Sequence, residues 1–338
     1  MRKIVIDAEG GDYAPYEAVK AAITAADLYD DLHIVLTGRK DKINEVIAES
    51  EYMGNSIEVV DCDEIITNDD VPTEAIKKKT NSSLVKAFEI LKSNDDVVGL
   101  ISAGSTGAVL TGAFLKVGRI KGVSRPALCP ILPTEDGGKV MLMDAGANVD
   151  CKPINICHFA LMASAYMKKV CGIENPRVAL LSIGTEDKKG NEFTHQCFAE
   201  LKKLPINFVG NMEARDFMSG KYDVVVTDGF NGNVLLKTVE GTASFIMRQL
   251  KQQFTSKLSN KIGALFLKKS LYELKNRLDF NNYGGSPFLG AKKIVIKNHG
   301  ASDYMAFVKA IDQVMTMAEN DLCGTIEEEI ANAEITES

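Results

Sequence analysis

The chain has 338 residues, 45% of them hydrophobic and 25% charged, which is an ordinary globular composition with room for one large α/β domain or two modest ones. Its net charge of −7 disfavours a general role in nucleic-acid binding. The seven cysteines include no C-x-x-C pair, which disfavours a disulfide framework or a zinc site, and no apolar run approaches the roughly 20 residues of a membrane span. The first residues read as a strand and not as an export signal, so we expect a cytoplasmic protein.

Strand-like and helix-like segments alternate along the chain. The predicted strands are Lys3–Ala8, Leu32–Thr37, Ile57–Asp61, Val97–Ser102, Lys139–Asp144, Arg177–Ile183, Asn207–Gly210, Asp223–Thr227 and Lys293–Lys297. The predicted helices are Pro15–Tyr29, Lys40–Glu49, Ser83–Lys92, Thr106–Val117, Ile154–Val170, Glu192–Lys202 and Val234–Phe254. Runs such as VVGLIS are apolar throughout, which is typical of strands buried on both faces of a parallel sheet. We therefore predict a mostly parallel sheet covered by helices, in one large or two modest α/β domains, followed by an acidic flexible tail at 327–338.

A glycine-rich or polar loop follows most of the predicted strands. In chain order the loops are DAEGGD (7–12), SAGSTG (102–107), DAGANVD (144–150), GTEDKKGNE (184–192), DGFNGN (228–233), YGGSP (283–287) and HGASD (299–303). Ligands of open parallel sheets bind at the carboxyl ends of the strands, and glycine lets a loop present N–H groups to an anion. Each loop alone reads most simply as a tight turn, but seven together predict the rim of a phosphate site.

The loop at Gly104–Gly107 is the strongest phosphate candidate. A strand precedes it, a helix follows it, and it contains the hydroxyls of Ser105 and Thr106. Between two loop glycines it therefore offers both side-chain and backbone donors to a phosphate oxygen.

Three other side chains in these loops could take part in chemistry. Lys189 could hold a phosphate or polarise a carbonyl oxygen, although a solvated loop lysine fits its position too. His299 could donate to phosphate or act as an acid or base, and a structural role is equally compatible with its position. Cys151 has no signalled histidine partner, so a packed thiol is favoured over a nucleophile.

A lysine cluster at residues 77–79 precedes a predicted helix start. It reads as a solvated turn or as a receptor for an anionic group. We assign contacts with the substrate or its carrier to Lys77, Lys79, Ser82 and Asn191.

Residues 248–279 differ from the rest of the chain, because they contain eight basic and two acidic residues. In their middle lies the apolar run 262–267, between Lys261 and the pair Lys268 and Lys269. This pattern predicts a protruding basic helical hairpin with an apolar turn, for contact with a membrane surface or a partner. A subunit interface is the alternative. The residues assigned to membrane contact are Ile262, Leu265, Phe266 and Leu267.

The motifs DAEGGD, ISAGSTGA, GRIKGVSRPAL, DAGANVDCKP, GTEDKKGNE, GNMEARD, TDGFNGNVLLKT, YGGSPFLG and IKNHGASD occur in an order that resembles the bacterial phosphate acyltransferases over about residues 1–320. The resemblance implies conversion of acyl-[acyl carrier protein] and inorganic phosphate into acyl phosphate and free carrier protein, for phospholipid synthesis. It also implies a single α/β domain over residues 1–325, a three-layer α/β/α sandwich with a mostly parallel sheet, like the folds of phosphotransacetylases and isopropylmalate dehydrogenases. A homodimer and peripheral association with the inner face of the cell membrane are implied as well. Glu9, Ser105, Asn231 and Ala301 depart from the family pattern.

The residue pattern and the resemblance predict the same mechanism. Phosphate is a competent nucleophile near neutral pH, so the protein must hold it near the thioester carbon and stabilise the oxyanion. We assign phosphate binding to Gly104–Gly107 with Asn148, and orientation of phosphate or oxyanion to Lys189 and Asn233. No metal and no cofactor are implied, because no ligand cluster is apparent.

Two other functions stay open. A nicotinamide-dependent hydroxyacid dehydrogenase of related fold would need a dinucleotide site, and no G-x-G-x-x-G follows the first strand. A non-enzymatic adaptor for a carrier protein or membrane would explain the basic hairpin but not the polar loops at the strand ends.

Overall fold

The computed structural model describes residues 2–277 and 284–333. The strands are β1 (Arg2–Asp7), β2 (Leu32–Gly38), β3 (Ile57–Asp61), β4 (Val97–Ser102), β5 (Ala127–Leu128), β6 (Ile131–Pro133), β7 (Lys139–Met143), β8 (Val178–Ser182), β9 (Phe208–Glu213), β10 (Val224–Val226), β11 (Ser286–Leu289) and β12 (Ile294–Lys297). The helices are α1 (Tyr16–Leu28), α2 (Lys40–Glu49), α3 (Pro72–Lys78), α4 (Ser83–Ser93), α5 (Thr106–Gly112), α6 (Pro153–Lys169), α7 (Glu192–Leu201), α8 (Gly229–Thr255), α9 (Leu258–Arg277), α10 (Tyr304–Glu319) and α11 (Leu322–Asn332). A π-helical turn, Ala113–Val117, continues α5, and a short 3₁₀ turn, Ala214–Asp216, follows β9.

Two sheets form where a single mostly parallel sheet was predicted. The first has the order β3-β2-β1-β4-β12-β11-β5, with β11 antiparallel to both of its neighbours and the remaining pairs parallel. The second has the order β6-β7-β10-β8-β9 and is parallel except for the β6–β7 pair. The prediction of mostly parallel strands is thus confirmed, while the sheet is divided.

The division occurs at one short stretch of chain. β5 is the edge of the first sheet and β6 is the edge of the second, and only Cys129 and Pro130 separate them. Proline has no N–H to donate and is therefore placed at sheet edges. The carbonyl of Pro130 still accepts a hydrogen bond from the Leu142 N–H. The segment 127–133 thus belongs to both sheets.

Helices cover both faces of the sheets, which confirms the predicted α/β/α layering. The long helix α6 is buried almost all round, and its core cluster includes residues of both sheets, such as Ile4 and Val224. On the far side of the first sheet, Phe88 of α4 packs with Val5 and Leu100. On the far side of the second sheet, α8 contributes Leu235 and Leu236 to a smaller cluster. Burial on both faces explains why the strand sequences are continuously apolar.

The predicted hairpin exists as α8 and α9, but its turn lies elsewhere than expected. The turn is at Ser256 and Lys257, where Asn260 Nδ2 donates to Gln253 O (2.9 Å) and to Ser256 Oγ (3.1 Å). The apolar run 262–267 lies inside α9, because Gly263 does not interrupt the helix. The placement of Ile262, Leu265, Phe266 and Leu267 at the turn was therefore wrong. Residues 278 and 279, which the prediction included, lie outside the described residues.

The predicted start of the acidic flexible tail, at residue 327, was also too early in the chain. Residues 327–332 belong to α11, and the spacing of Leu322, Ile326 and Ile330 gives this helix a buried apolar stripe. Its Glu329 lies 3.5 Å from the Lys168 ammonium on α6. Residues 334–338 lie outside the described part of the chain. Throughout the described ranges, no helix combines the length and hydrophobicity needed to cross a bilayer.

Candidate active site

The carboxyl ends of β1, β4 and β12 lie side by side in the first sheet and carry three of the predicted loops. Ser102 connects two of them, because its hydroxyl donates to Asp7 Oδ2 (2.7 Å) and accepts from the Gly104 N–H (3.0 Å). Gly10 completes this contact, since a Cβ there would lie 2.6 Å from the Gly104 nitrogen. The Gly104 N–H is thus used inside the protein, and the donors left for an anion begin at Ser105.

Asp7 sits below this loop without contact with solvent. Its Oδ1 has no hydrogen-bond partner among the described residues, and burial raises the pKa of its carboxyl group, against the hydrogen bond from Ser102. Next to it, Glu9 forms a two-bond ion pair with Arg39, from Nε to Oε1 (3.0 Å) and from Nη2 to Oε2 (2.8 Å). The departure from the family pattern at position 9 is therefore a buried carboxylate with its own cation, away from the cavity lining.

Two residues at the end of β12 were not among the predicted site residues. Lys297 pairs in register with Ser102, and its ammonium donates to Ala103 O (3.4 Å) and to Asn298 O. Burial lowers the pKa of Lys297 to about 8, although nearby Asp7 opposes the shift. Asn298 is 1% exposed, and neither Nδ2 nor Oδ1 has a hydrogen-bond partner in residues 2–277 and 284–333. The sequence feature that could have indicated them is the lysine–asparagine pair at the end of a predicted strand, within the motif IKNHGASD.

A cavity of 1330 Å³ opens beside these residues. Its polar end is lined by Thr106, Gly284, Gly285, Ser286, Lys297, Asn298 and His299. Of the predicted site residues, the structure thus brings Thr106 and His299 together. His299 is exposed, and its Nδ1 accepts a hydrogen bond from the Ala301 N–H (3.2 Å).

From this end the cavity extends along the hairpin. The apolar lining consists of Leu128, Pro130, Ile131, Leu132, Leu236, Ala243, Met247, Leu250, Phe254, Leu265, Phe266, Leu271 and Tyr272. The charged lining consists of Lys237, Glu240, Arg248, Lys251, Lys268, Lys269 and Lys297. With six cations and one carboxylate, the lining favours an anionic ligand that also carries an apolar portion.

The loop after β7 holds Asn148 in a structural role. Its Nδ2 donates to Pro126 O (2.8 Å) and to Asp144 Oδ2 (2.9 Å), so the amide is not free to bind phosphate as predicted. Burial raises the pKa of Asp144 to about 6, and the hydrogen bonds from Asn148 oppose that shift. Asn233 lies over the same loop, 3.5 Å from where a Cβ of Gly146 would be.

The loop after β8 places Lys189 on the surface. Its side chain lies across Gly184, whose Cβ would be 2.7 Å from Lys189 Cγ. Asn191 is the N-cap of α7, and its Oδ1 accepts from the Thr194 N–H (2.9 Å). Neither Lys189 nor Asn233 is among the described residues that line the cavity.

The lysine cluster is largely occupied by internal contacts. Lys79 is paired with Asp70 (2.7 Å) and donates to Ile65 O (2.9 Å). Ser82 is 0% exposed, and its hydroxyl caps α4 by accepting from the Val85 N–H, so its assignment to carrier contact was wrong. Lys77 is exposed on α3.

Cys151 is partly buried, and its thiol donates to Asn148 O (3.5 Å). Burial, with a smaller contribution from Asp144, raises the pKa of this thiol to about 12, which keeps it protonated and weakly nucleophilic. In the described part of the chain, no three His, Cys, Asp or Glu side chains gather as they would to hold a metal ion.

The family model described as "Fatty acid synthesis protein" matches residues 2–325. A phosphate acyltransferase of Thermoanaerobacterium thermosaccharolyticum is 44% identical over 328 residues, covering 97% of this chain and 96% of that one. A phosphate acyltransferase of Bacillus cereus is 45% identical over 324 residues, covering 96% and 97%.

Solved structures agree at the level of the fold. A phosphotransacetylase from Streptococcus pyogenes superposes with a TM-score of 0.61 at 16% identity, covering 95% of this chain and 94% of that one. The predicted likeness to phosphotransacetylases is thereby confirmed, while the likeness to isopropylmalate dehydrogenases stays a prediction. Since the family model spans nearly the whole chain and the sequence relatives exceed 40% identity, the chain belongs to the fatty acid synthesis protein family, as its motifs predicted.

Proposed function

We propose that the protein transfers an acyl group from the thioester of acyl carrier protein to inorganic phosphate, releasing acyl phosphate and free carrier protein for phospholipid synthesis. One observation carries the proposal. A single cavity joins a polar end at Thr106 and His299 to a long apolar passage beside the hairpin. An acyl chain fits the passage and a phosphate fits the polar end, where Ser105 and Thr106 add hydroxyl donors. The names of the two bacterial relatives support the same activity.

The reaction needs positioning more than acid–base chemistry. The N–H groups and hydroxyls of residues 105–107 hold the phosphate, because the first N–H groups of α5 have no partner within that helix. Asn148 fixes the Asp144 loop instead of touching phosphate. His299 provides a further donor at the polar end. Lys189 and Asn233 lie outside the cavity lining, and we propose that they orient phosphate or oxyanion from the side of the second sheet. The leaving thiolate is stable enough to depart with little acid assistance.

The cation-rich lining indicates how the carrier is recognised. Acyl carrier protein is the acidic partner of this chemistry, and Arg248, Lys251, Lys268 and Lys269 border the apolar passage. Lys77, exposed on α3, adds a further positive charge to the surface, whereas the charge of Lys79 is paired with Asp70. Opposite charges on the two proteins accelerate their encounter and orient the thioester toward the cavity.

We also propose that the protein is a homodimer that binds the inner face of the cell membrane peripherally. Exposed Ile183, just after β8, and exposed Phe230, in the first turn of α8, support a subunit contact at the second sheet. Exposed Ile262 and Leu267 on α9, near Lys261 and Lys268, support contact with anionic lipid. Each lysine contributes about 1 kcal/mol near such a surface, so the binding is reversible and salt-sensitive.

The decisive experiment is an assay with acyl carrier thioester and inorganic phosphate. We expect release of the carrier thiol that depends on phosphate, with acyl phosphate formed in equal amount. A reaction without phosphate is the control for hydrolysis. Thiol release without phosphate dependence, or reduction of a nicotinamide by a hydroxyacid, would replace the proposal with a hydrolase or a dehydrogenase. Carrier binding without turnover would indicate an adaptor.

A further inference from the structure

The polar end of the cavity contains two buried side chains that no prediction used. Lys297 is 8% exposed and Asn298 is 1% exposed, yet both line the cavity. Their backbone is fixed, since β12 pairs with β4 and the Asn298 N–H donates to Ser102 O (2.9 Å). Their side chains therefore occupy fixed positions beside the loop Gly104–Gly107.

Asn298 is costly to bury in this way. Its Nδ2 and Oδ1 both lack a hydrogen-bond partner in the described part of the chain. Transfer of an unpaired amide from water to the protein interior costs about 2 kcal/mol or more. Nearly all buried polar groups in native proteins are paired, so an exception that faces a cavity indicates a ligand that supplies the pairing. A Cβ on Gly285 would lie 2.2 Å from Asn298 Oδ1, and only glycine there leaves room for the amide.

Lys297 brings a cation to the same place. Two of its three N–H donors go to the carbonyls of Ala103 and Asn298, which leaves one for a ligand. The charged groups that face it are Asp7 on β1, Asp12 in the following loop and Lys237 on α8. A buried ammonium is poorly screened, so it attracts an anion more strongly than an exposed lysine does.

We propose that Lys297 and Asn298 are catalytic residues of the acyl transfer: the Lys297 ammonium binds the attacking phosphate, and Asn298 Nδ2 donates to the carbonyl oxygen of the acyl group. This assignment rests on the proposed function and names the contacts at its reacting centre. It gives the oxyanion a donor that is already desolvated and fixed, which is the arrangement that stabilises developing charge most effectively.

The chemical step balances in atoms and in charge. An oxygen of hydrogen phosphate forms a bond to the thioester carbon, and the carbonyl oxygen becomes an oxyanion held by Asn298. The carbonyl then re-forms as the carbon–sulfur bond breaks. The electron pair of that bond leaves on sulfur, and the proton of hydrogen phosphate passes to the thiolate. The products are acyl phosphate and the free thiol.

The test uses two near-isosteric variants and a matched control. Lys297→Met removes the charge, and Asn298→Leu removes the amide without leaving a void. Lys293→Met is the control, because Lys293 lies just before the other end of β12 and also donates to two backbone carbonyls, Asn94 O (3.3 Å) and Val97 O (3.4 Å). Phosphate affinity is measured by calorimetry without acyl substrate, turnover with acyl carrier thioester, and stability by thermal unfolding.

We expect Lys297→Met to weaken phosphate binding at least about tenfold with an unchanged KM for the acyl carrier, and Lys293→Met to match the wild type. We expect Asn298→Leu to lower kcat about 100-fold with an unchanged or raised melting temperature, because it removes an unpaired buried amide. Wild-type phosphate affinity should also fall as pH rises through about 8, where Lys297 loses its proton.

Three results would overturn the proposal. The first is that Lys297→Met and Lys293→Met bind phosphate with equal affinity. The second is that the melting temperature of Asn298→Leu falls together with its activity. The third is that the phosphate affinity of the wild type stays constant from pH 7 to about 9.5. The pH titration needs no variant, so it decides the Lys297 contact even if Lys297→Met does not fold. If the wild type binds phosphate more tightly than Lys297→Met does but transfers no acyl group, the proposed function is refuted while the anion site at Lys297 stands.

Discussion

The two ends of the cavity differ in what holds their lining side chains. At the polar end, Lys297 and Asn298 are 8% and 1% exposed and lie at the carboxyl end of β12, which is paired within the first sheet. At the hairpin end, Leu265 and Phe266 are 71% and 87% exposed on α9, which packs mainly against α8. Chemistry needs donors fixed to within a fraction of an ångström, whereas an acyl chain needs only apolar surface of sufficient length. The rigid end therefore suits the reaction and the exposed end suits the chain.

The largest expected effect tests whether the reacting centre extends to the second sheet. We expect Lys189→Ala and Asn233→Ala each to lower turnover about 100-fold, as the loss of one phosphate or oxyanion donor does, with little change in melting temperature. Lys188→Ala is the control, because Lys188 is exposed in the same loop. Steady-state kinetics with acyl carrier thioester measures the turnover of each variant. If Lys189→Ala and Lys188→Ala behave alike, the reacting centre is confined to the first sheet.

A smaller effect tests the apolar passage. Met247→Glu places a carboxylate in the cavity lining, and we expect kcat/KM for a long acyl chain to fall about tenfold or more, since each buried methylene contributes about 0.8 kcal/mol. A short acyl chain should be affected less. Phe245→Glu changes an exposed residue on the same helix outside the lining and should leave both substrates unaffected. Equal losses for long and short chains would contradict this path for the acyl group.

Membrane contact should be weaker and separable from catalysis. Leu265 and Phe266 line the cavity, so the clean variant is Ile262→Glu with Leu267→Glu, both exposed and outside the lining. We expect this double variant to lose sedimentation with anionic vesicles while its turnover of soluble acyl carrier is retained. Loss of folding or of dimerisation would show instead that α9 is buried in a subunit interface.

The smallest effect is expected at Cys151. Burial raises its thiol pKa to about 12, which keeps it protonated at neutral pH, so we expect the acyl group to pass directly to phosphate. Cys151→Ala should keep full turnover. An acyl group found on Cys151 by mass spectrometry of the stalled enzyme would contradict direct transfer.

Periodicity and composition were sufficient to predict the parallel strands, because burial on both faces leaves a continuous apolar run, as in β4 and β8. They did not predict β5, β6 or β11, which are short and gain their pairing from distant segments. The turn of the hairpin was misplaced because the apolar run 262–267, between lysines in the middle of the segment, was interpreted as the turn, while packing of α9 against α8 continues the helix through Gly263.

The loops of the site were predicted, but the roles of their polar residues were not always correct. Asn148 and Ser82 have the residue types of ligand contacts, yet their hydrogen bonds are made inside the protein. Lys297 is the opposite case, because a lysine at the end of a strand is expected to be solvated, whereas this one is buried. Its burial follows from neighbours on β1, β4 and α8, which sequence spacing does not reveal. Whether a polar group is already paired is a property of the folded chain.

The position of β12 in the first sheet has a consequence for the newly made protein. β12 lies beside β4, although almost 200 residues of chain separate Ile101 from its partner Ile296. Synthesis proceeds from the amino terminus, so the emerging chain possesses β1, β2 and β4 long before the strand that completes their edge. Lys297 and Asn298 reach the phosphate loop only when nine-tenths of the polypeptide has left the ribosome. A chain terminated before β12 would therefore have the glycine loop without the proposed reacting centre, and we expect such a fragment to release no acyl phosphate.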